Sequence, residues 1–254
     1  MNNTTPDHHH SAHLTDASAG LPQTTPNGLV VGDDGLARPP WAAQQPEMRE
    51  YYDDEWSNPV TDERGCYERL ALEGFQAGLS WRTVLLKREA LRELFAGFDP
   101  EAVARFGDAE IASIMDDARG IRSACKVTSA INNARLTLSL RERALSPDGT
   151  DKNDLDRRLA GFELPNGVRV EPGLPALLWS FRPEKTPRPL TVADIPTQSE
   201  ESKTMAKTLK KLGFSFVGPT TCFALMEAIG IVDTNLVGSH KRGRSGIWPE
   251  EEES

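Results

Sequence analysis

Cysteine is scarce in this chain. Cys66, Cys125 and Cys222 are the only three in 254 residues, odd in number and widely spaced. They offer no disulfide framework and no paired-cysteine metal knuckle, and a reduced, cytoplasmic protein is the expectation. Long apolar runs are missing as well. None reaches the ~18 residues needed to span a bilayer. The N-terminus has no basic region ahead of an apolar stretch, so no secretory leader is expected. Aromatic residues make up only 7% of the chain. Residues 1–37 have no Lys or Arg but carry Asp7, Asp16, Asp33 and Asp34. Together with Glu250, Glu251, Glu252 and Glu253 these acids carry almost all of the net charge of −9, leaving −1 for residues 38–249. The total charge alone argues against a nucleic-acid binder, but a near-neutral middle leaves room for local basic patches. No repeat period is visible.

What is present is helical patterning. Hydrophobic residues make up 38% of the chain, enough for a sizeable core. Residues 1–36 are too poor in large apolar side chains to offset their ordering entropy and read as a disordered tail, His8, His9, His10 and His13 included. Order is expected from about Pro40-Trp41. Thr61 or Asp62 caps a helix to about Gly78, and Ser80 caps a second, Trp81 to Phe95. Asp99-Pro100 opens a short third, with proline at the first helical position. Asp108 caps a fourth, to near Asp117. Ala124, Val127, Ile131, Ala134 and Leu138 then mark one face of a long helix. Residues 145–173 read as a loop insertion. Helices return at Leu174–Phe181, about Ser199–Leu212 and about Thr220–Gly230. Period-two alternation is rare, so the fold class is mainly α. One domain over residues 37–245, with an acidic tail at 246–254, is the expected organisation.

Several constellations carry chemical potential. Cys66, Leu70, Glu73 and Ala77 share a helical face, so Glu73 sits on an apolar stripe. A carboxylate there is costly unless paired or hydrogen-bonded. It either tethers a neighbouring helix or arginine, or it accepts hydrogen bonds from a ligand at the floor of a pocket. Trp81 lies just beyond the turn. Tyr51-Tyr52-Asp53-Asp54-Glu55-Trp56 is either core packing or a wall for a flat heteroaromatic ligand. Asp117-Ala118-Arg119-Gly120-Ile121-Arg122, between two helices, is either an ordinary helix hairpin or an anion site built from free N–H groups and a helix N-terminus. Arg119, Arg122 and Lys126 would add positive charge there. Gly218-Pro219-Thr220-Thr221 leads into another helix N-terminus. Lys207, Lys210 and Lys211 are a solvated face or a basic patch. Lys241, Arg242 and Arg244 form a tail or touch phosphate.

Tyr51–Trp56, Leu72–Trp81, the hairpin with Asn133-Ala134-Arg135, Leu178-Trp179-Ser180-Phe181 and Lys210–Thr221 are long stretches in a fixed order. Over roughly residues 38–240 they resemble the DNA-3-methyladenine glycosylase I family. The resemblance implies a helical fold of the helix-hairpin-helix glycosylase type. It also implies excision of 3-methyladenine, or a close N-alkylated purine, from double-stranded DNA in base-excision repair, without a lyase step. The expected enzyme is a monomer with no cofactor and no membrane partner. By the same resemblance Glu73 contacts the base and Trp81 stacks on it. Tyr51, Trp56 and Gln76 line or support the pocket, and Met48 stands where a further pocket tyrosine is usual. Arg119, Gly120, Ile121, Arg122 and Lys126, with Thr220 and Thr221, fall on the DNA-binding side.

Two departures stand out. The family hairpin reads Gly-Ile-Ile-Arg, whereas here the glycine of Arg119-Gly120-Ile121-Arg122 is shifted by one. The family's two Cys and two His zinc ligands fall on Pro39, Tyr52, Asn235 and Ser239, none of them a soft zinc donor. No structural zinc is expected, and Tyr52 with Trp41 is expected to replace that staple by packing. No general base is assigned; Asp233 is a candidate, but it is displaced by one position from the family's acid in Val-Asn-Asp-His. Two rivals remain open: a homologue that binds DNA or base without turnover, and an enzyme for a different alkyl lesion.

Overall fold

The computed structural model describes residues 23–146 and 153–248. The His-rich segment and the terminal glutamates lie outside the described residues. Strands β1 (Gln23–Thr24), β2 (Val30–Val31) and β3 (Ala37–Arg38) pair antiparallel in that order. Residues 23–36, expected as part of a disordered tail, are therefore built into the fold. The reason is long-range. Leu29 is buried, and the Asn27 amide donates to the Val237 carbonyl at 2.8 Å. The buried Arg38 guanidinium donates to Asp34 and Asp53, both at 2.6 Å.

Two short helices follow, α1 (Pro40–Ala43) and α2 (Pro46–Glu50), each with proline in its first turn. A π-helical turn, Tyr51–Glu55, continues α2. Asp62 accepts from the Gly65 N–H and opens α3 (Glu63–Gln76); Ser80 accepts from the Thr83 N–H and opens α4 (Trp81–Leu94). Asp99 accepts from the Glu101 N–H ahead of α5 (Pro100–Ala104). These are the caps the sequence proposed. The cap of α6 (Asp108–Asp116) differs: Gly107 precedes the helix, and the Glu110 carboxylate accepts from its N–H at 2.8 Å. In α7 (Ala124–Leu145) the buried stripe runs Val127, Ala130, Ile131, Ala134, Thr137, while Ala124 is exposed. The core face is rotated slightly from the expected one.

The expected loop at 145–173 is only partly a loop. It holds α8 (Asp154–Leu159) and a hairpin of β4 (Phe162–Glu163) and β5 (Arg169–Val170). Leu159, Leu164 and Val170 anchor it in the core. Helix α9 (Leu174–Trp179) is buried along its whole length, and the Trp179 indole donates to the Val60 carbonyl at 2.8 Å. Ser199 caps α10 (Glu200–Lys211), whose Lys207, Lys210 and Lys211 are exposed, a solvated face. Helix α11 (Pro219–Ala228) follows a loop that Asn133 pins by exchanging two hydrogen bonds with the Ser215 backbone. Ile247 and Trp248 are buried, with the Arg182 guanidinium 5.2 Å over the Trp248 ring, so the folded part runs past residue 245.

The architecture is mainly α, with α3 at its centre. Residues Cys66–Phe75 are all buried, packed by α4, α7, α9 and α11. No helix among the described residues is long and apolar enough to cross a membrane.

Candidate active site

A cavity of about 300 Å³ opens between α2, the π-helical turn, α3, α4 and α11. Met48, Tyr51, Trp56, Glu73, Gln76 and Trp81 all line it. The sequence places these six side chains in a pocket from Met48, Tyr51–Trp56 and Leu72–Trp81, and the fold brings them to one cavity. The wall is set by local geometry. In the π-helical turn the Trp56 N–H donates to the Tyr51 carbonyl at 2.8 Å, five residues back. Such turns recur at functional sites because the extra residue re-aims side chains. Tyr51 faces the cavity, while Tyr52 points away from it. Trp81 is delivered by the turn after α3, where Gly78 has φ +77°, a conformation that disfavours a side chain. The Tyr51 and Trp81 rings lie 5.3 Å apart.

A charged layer braces this wall. Glu55 accepts from Arg69 at 2.5 Å and Arg88 at 2.6 Å, and Glu68 accepts from Arg88 and Arg92. The Arg69 guanidinium is thereby held 5.6 Å from the centre of the Tyr51 ring. Glu73, 6% exposed, forms the floor. Burial first, then the nearby Glu227 carboxylate, pushes its acid up to about 8, with Arg69 opposing. No side chain or backbone group among the described residues donates to the Glu73 carboxylate. The tether reading of Glu73 therefore has no partner to tether. The buried Tyr51 hydroxyl and Trp81 indole N–H are also unpartnered. Leaving such groups buried and unpaired is costly.

Four lining residues escaped the sequence reading as pocket residues: Trp41, Ile195, Ala224 and Glu227. Glu227 had a signal, being the only charged residue of α11 and set in its apolar second half.

On the far side of α4, α6 and α7 flank the hairpin Asp117–Ser123. Its turn closes by Gly120 N–H to the Asp117 carbonyl at 3.2 Å. A Cβ on Gly120 would meet the tip of the Leu94 side chain at 2.8 Å, so that tip would have to shift to admit one. Ile121 is buried and Arg122 is exposed. Ser123 gives α7 no side-chain cap, which leaves its first N–H groups open. The expected cations divide. Arg119 is paired with Asp117 at 2.9 Å and Glu93 at 2.7 Å. Arg122 has no carboxylate within salt-bridge distance among the described residues. Lys126 departs from the expected DNA-facing role: its ammonium donates to the Phe75 and Ala77 carbonyls and caps the end of α3. Thr220 is exposed and accepts from Gln198; Thr221 is partly buried.

Asp233, Lys241 and Arg242 also belong to structure. The Asp233 carboxylate accepts from the N–H groups of Asn235 and Gly243 and lies outside the cavity. Lys241 donates to the Asp53 carbonyl and Asn58, and Arg242 to three carbonyls. The four positions matching the resembled family's zinc ligands do not fit a metal. Tyr52 hydrogen-bonds Asn235 at 2.6 Å and Ser239 at 2.5 Å, all three buried, and Pro39 has no donor atom in its side chain. Trp41 meets Tyr52 edge-on at 5.3 Å. Hydrogen bonds as well as packing thus join the N- and C-terminal segments.

The family model for methyladenine glycosylases matches residues 41–149 and 168–242. The chain is 36% identical over 202 residues to the DNA-3-methyladenine glycosylase of Haemophilus influenzae, covering 78% of this chain and 94% of that protein. It is 37% identical over 201 residues to DNA-3-methyladenine glycosylase 1 of Escherichia coli, covering 78% and 92%. A crystal structure of 3-methyladenine DNA glycosylase I superposes with a TM-score of 0.66 at 33% identity, covering 80% of this chain and 98% of that one. The structure describing 3-methyladenine recognition by the Staphylococcus aureus enzyme gives 0.65 at 27% identity, covering 82% and 95%.

Proposed function

The chain belongs to the methyladenine glycosylase family, and from that premise we propose that it is a DNA N-glycosylase that removes 3-methyladenine from alkylated duplex DNA in base-excision repair. The observation that carries this is the convergence of Tyr51, Trp56, Gln76 and Trp81 with the buried Glu73 on one cavity of purine size.

The chemistry follows from the charge of the lesion. Alkylation at N3 makes the base cationic while it is attached to the sugar. Bringing it out of the stack costs a few kcal/mol. Aromatic faces recover about 1–3 kcal/mol by stacking, and rings in a desolvated site attract the cation by up to about 2 kcal/mol. Glu73 accepts from the exocyclic amine and opposes the positive charge. The C1′–N9 bond then breaks, its electron pair leaves with the base, and the base becomes neutral. Water adds to the sugar and gives up one proton. Such a leaving group needs positioning and electrostatics more than a strong acid. Among the described residues no lysine lines the cavity, which supports hydrolysis without a lyase step.

The Asp117–Ser123 hairpin and the α7 N-terminus are suited to hold a backbone phosphate. One chain supplies both hairpin and pocket, which supports a monomer. Arg122→Ala should weaken binding to duplexes of any sequence about equally and reduce the salt slope by about one. Arg119→Ala should do less, because Asp117 and Glu93 already offset its charge. Titrations at several salt concentrations check this, and a loss confined to one sequence would remove Arg122 from the phosphate contacts. The test of the function itself is release of free bases from methylated genomic DNA. Release of 3-methyladenine, with abasic sites left behind, is the expected result. A folded protein that releases no base would overturn the proposal.

A further inference from the structure

Glu227 is not needed to explain stacking or the contact with the exocyclic amine, yet it lines the same cavity as Glu73. Helix α11 packs on α3 and brings it there. One carboxylate oxygen is held by the Thr234 hydroxyl at 2.5 Å; the other has no protein donor among the described residues. From α3 the charged group that faces it is Glu73; Arg69, one turn earlier, acts on Glu73 and is paired with Glu55. From the π-helical turn comes Tyr51, which lines the same cavity. Helix α10, the other helix against α11, turns Lys210 towards Cys222 instead. Two acids thus share a pocket whose lining, among the described residues, contains no cation.

We propose that Glu227 is a second ligand-facing acid and that, with Glu73, it makes the pocket selective for the positively charged form of an alkylated purine. This rests on the reading of the cavity as a base pocket. It gives that pocket a property stacking cannot supply, because neutral and cationic purines of one shape stack alike. Burial pushes Glu227 up to about 7, with the Thr234 hydroxyl opposing, and Glu73 up to about 8. Near neutral pH the pair is therefore only part-ionised, and its two steps belong to the pair as a whole. A cationic base favours the ionised forms, so its binding releases protons and tightens as pH rises through that range. Once the glycosidic bond breaks the base is neutral. The pair loses its counter-charge and takes a proton back, equivalent to the one water gave up. Substrate is held more tightly than product, which favours release of the excised base.

The experiment uses tryptophan fluorescence, with Trp41, Trp56 and Trp81 as reporters in the cavity wall. Two probes of nearly the same shape are titrated across about pH 6 to 8.5. One is 3,9-dimethyladeninium, a permanent cation blocked at N9 like the nucleoside; the other is 3-methyladenine. Wild type should bind the cation about tenfold more tightly at the upper pH than at the lower, with a much smaller change for the neutral base. Glu227→Gln should lose about tenfold of the preference for the cation and flatten its pH dependence. Thr234→Val should move that dependence to higher pH, because it removes the hydroxyl that favours ionised Glu227. A merely structural Glu227 would leave both the ratio and the profile in place, and that result overturns the proposal. If Glu227→Gln does not fold, the Thr234→Val shift decides alone. If neither probe binds the folded wild type, the base-pocket reading fails and the proposal with it.

Discussion

Glu73→Gln should lose base excision by a factor of about 10²–10³, the usual loss on removing one preorganised electrostatic contact, and should melt above wild type at alkaline pH. Both effects have one origin. Glu73 is buried, and burial together with Glu227 raises its acid to about 8. In the unfolded chain the same carboxyl ionises near 4.5. The folded state therefore keeps a proton that the unfolded state releases, and stability falls as pH rises from about 4.5 to about 8. Above that window the cost of the buried charge is on the order of a few kcal/mol. Glutamine keeps the shape and removes the charge. Near pH 5 the two proteins should melt together; near pH 8.5 the variant should gain on the order of 10 °C, taking about 2–4 °C per kcal/mol for a domain of this size. Thermal scans at the two pH values, with single-turnover excision, check it. A variant that melts lower at both would make Glu73 a structural tether, and excision at wild-type rate would remove it from the mechanism. The site holds a carboxylate that the fold would be better without, as expected where function competes with stability.

Much of this was legible because the determinants are local. Asp62, Ser80 and Asp99 cap helices through N–H groups two or three residues away, a relation any sequence window contains. Glu73 on an apolar stripe is a local anomaly too. The missed features depend on partners far along the chain. The β1–β3 segment is held by Asn27 on Val237 and Arg38 on Asp53, and its own composition gives no hint of either. Lys126 sits beside the hairpin in sequence, but the crossing of α7 over the end of α3 gives its ammonium two carbonyls some 50 residues back. Glu227 was visible as the only charged residue of α11; that it faces Glu73 is decided only by the packing of α11 on α3. Arg119 looked like a free cation because its Glu93 partner lies on another helix.

Tyr52→Phe should lower stability by about 2–4 kcal/mol, because one lost hydroxyl strands two buried polar groups at roughly 1–3 kcal/mol each. The Tyr52 oxygen is the meeting point of Asn235 and Ser239, which lie 183 and 187 residues further on. The Asn235 amide is fixed by Asp233, and Asp233 also holds the Gly243 N–H, so the C-terminal segment is ordered towards that single oxygen. The Phe ring would keep the edge contact with Trp41 and the stacking on Trp56, at 5.3 and 5.6 Å in the native protein. The loss would then report on the hydrogen bonds alone. Trp56 is also a wall of the cavity, so excision should fall less than stability while the fold persists. A strong chelator should leave wild-type melting unchanged, and protein lacking its His-rich N-terminal segment should carry no stoichiometric zinc. A Tyr52→Phe protein as stable as wild type would show that packing alone joins the two segments. One tight zinc per chain would mean that other residues rebuild a metal staple. The expected outcome is that a phenol, an amide and a hydroxyl do, by hydrogen bonding, the work that thiolates and imidazoles do with a metal.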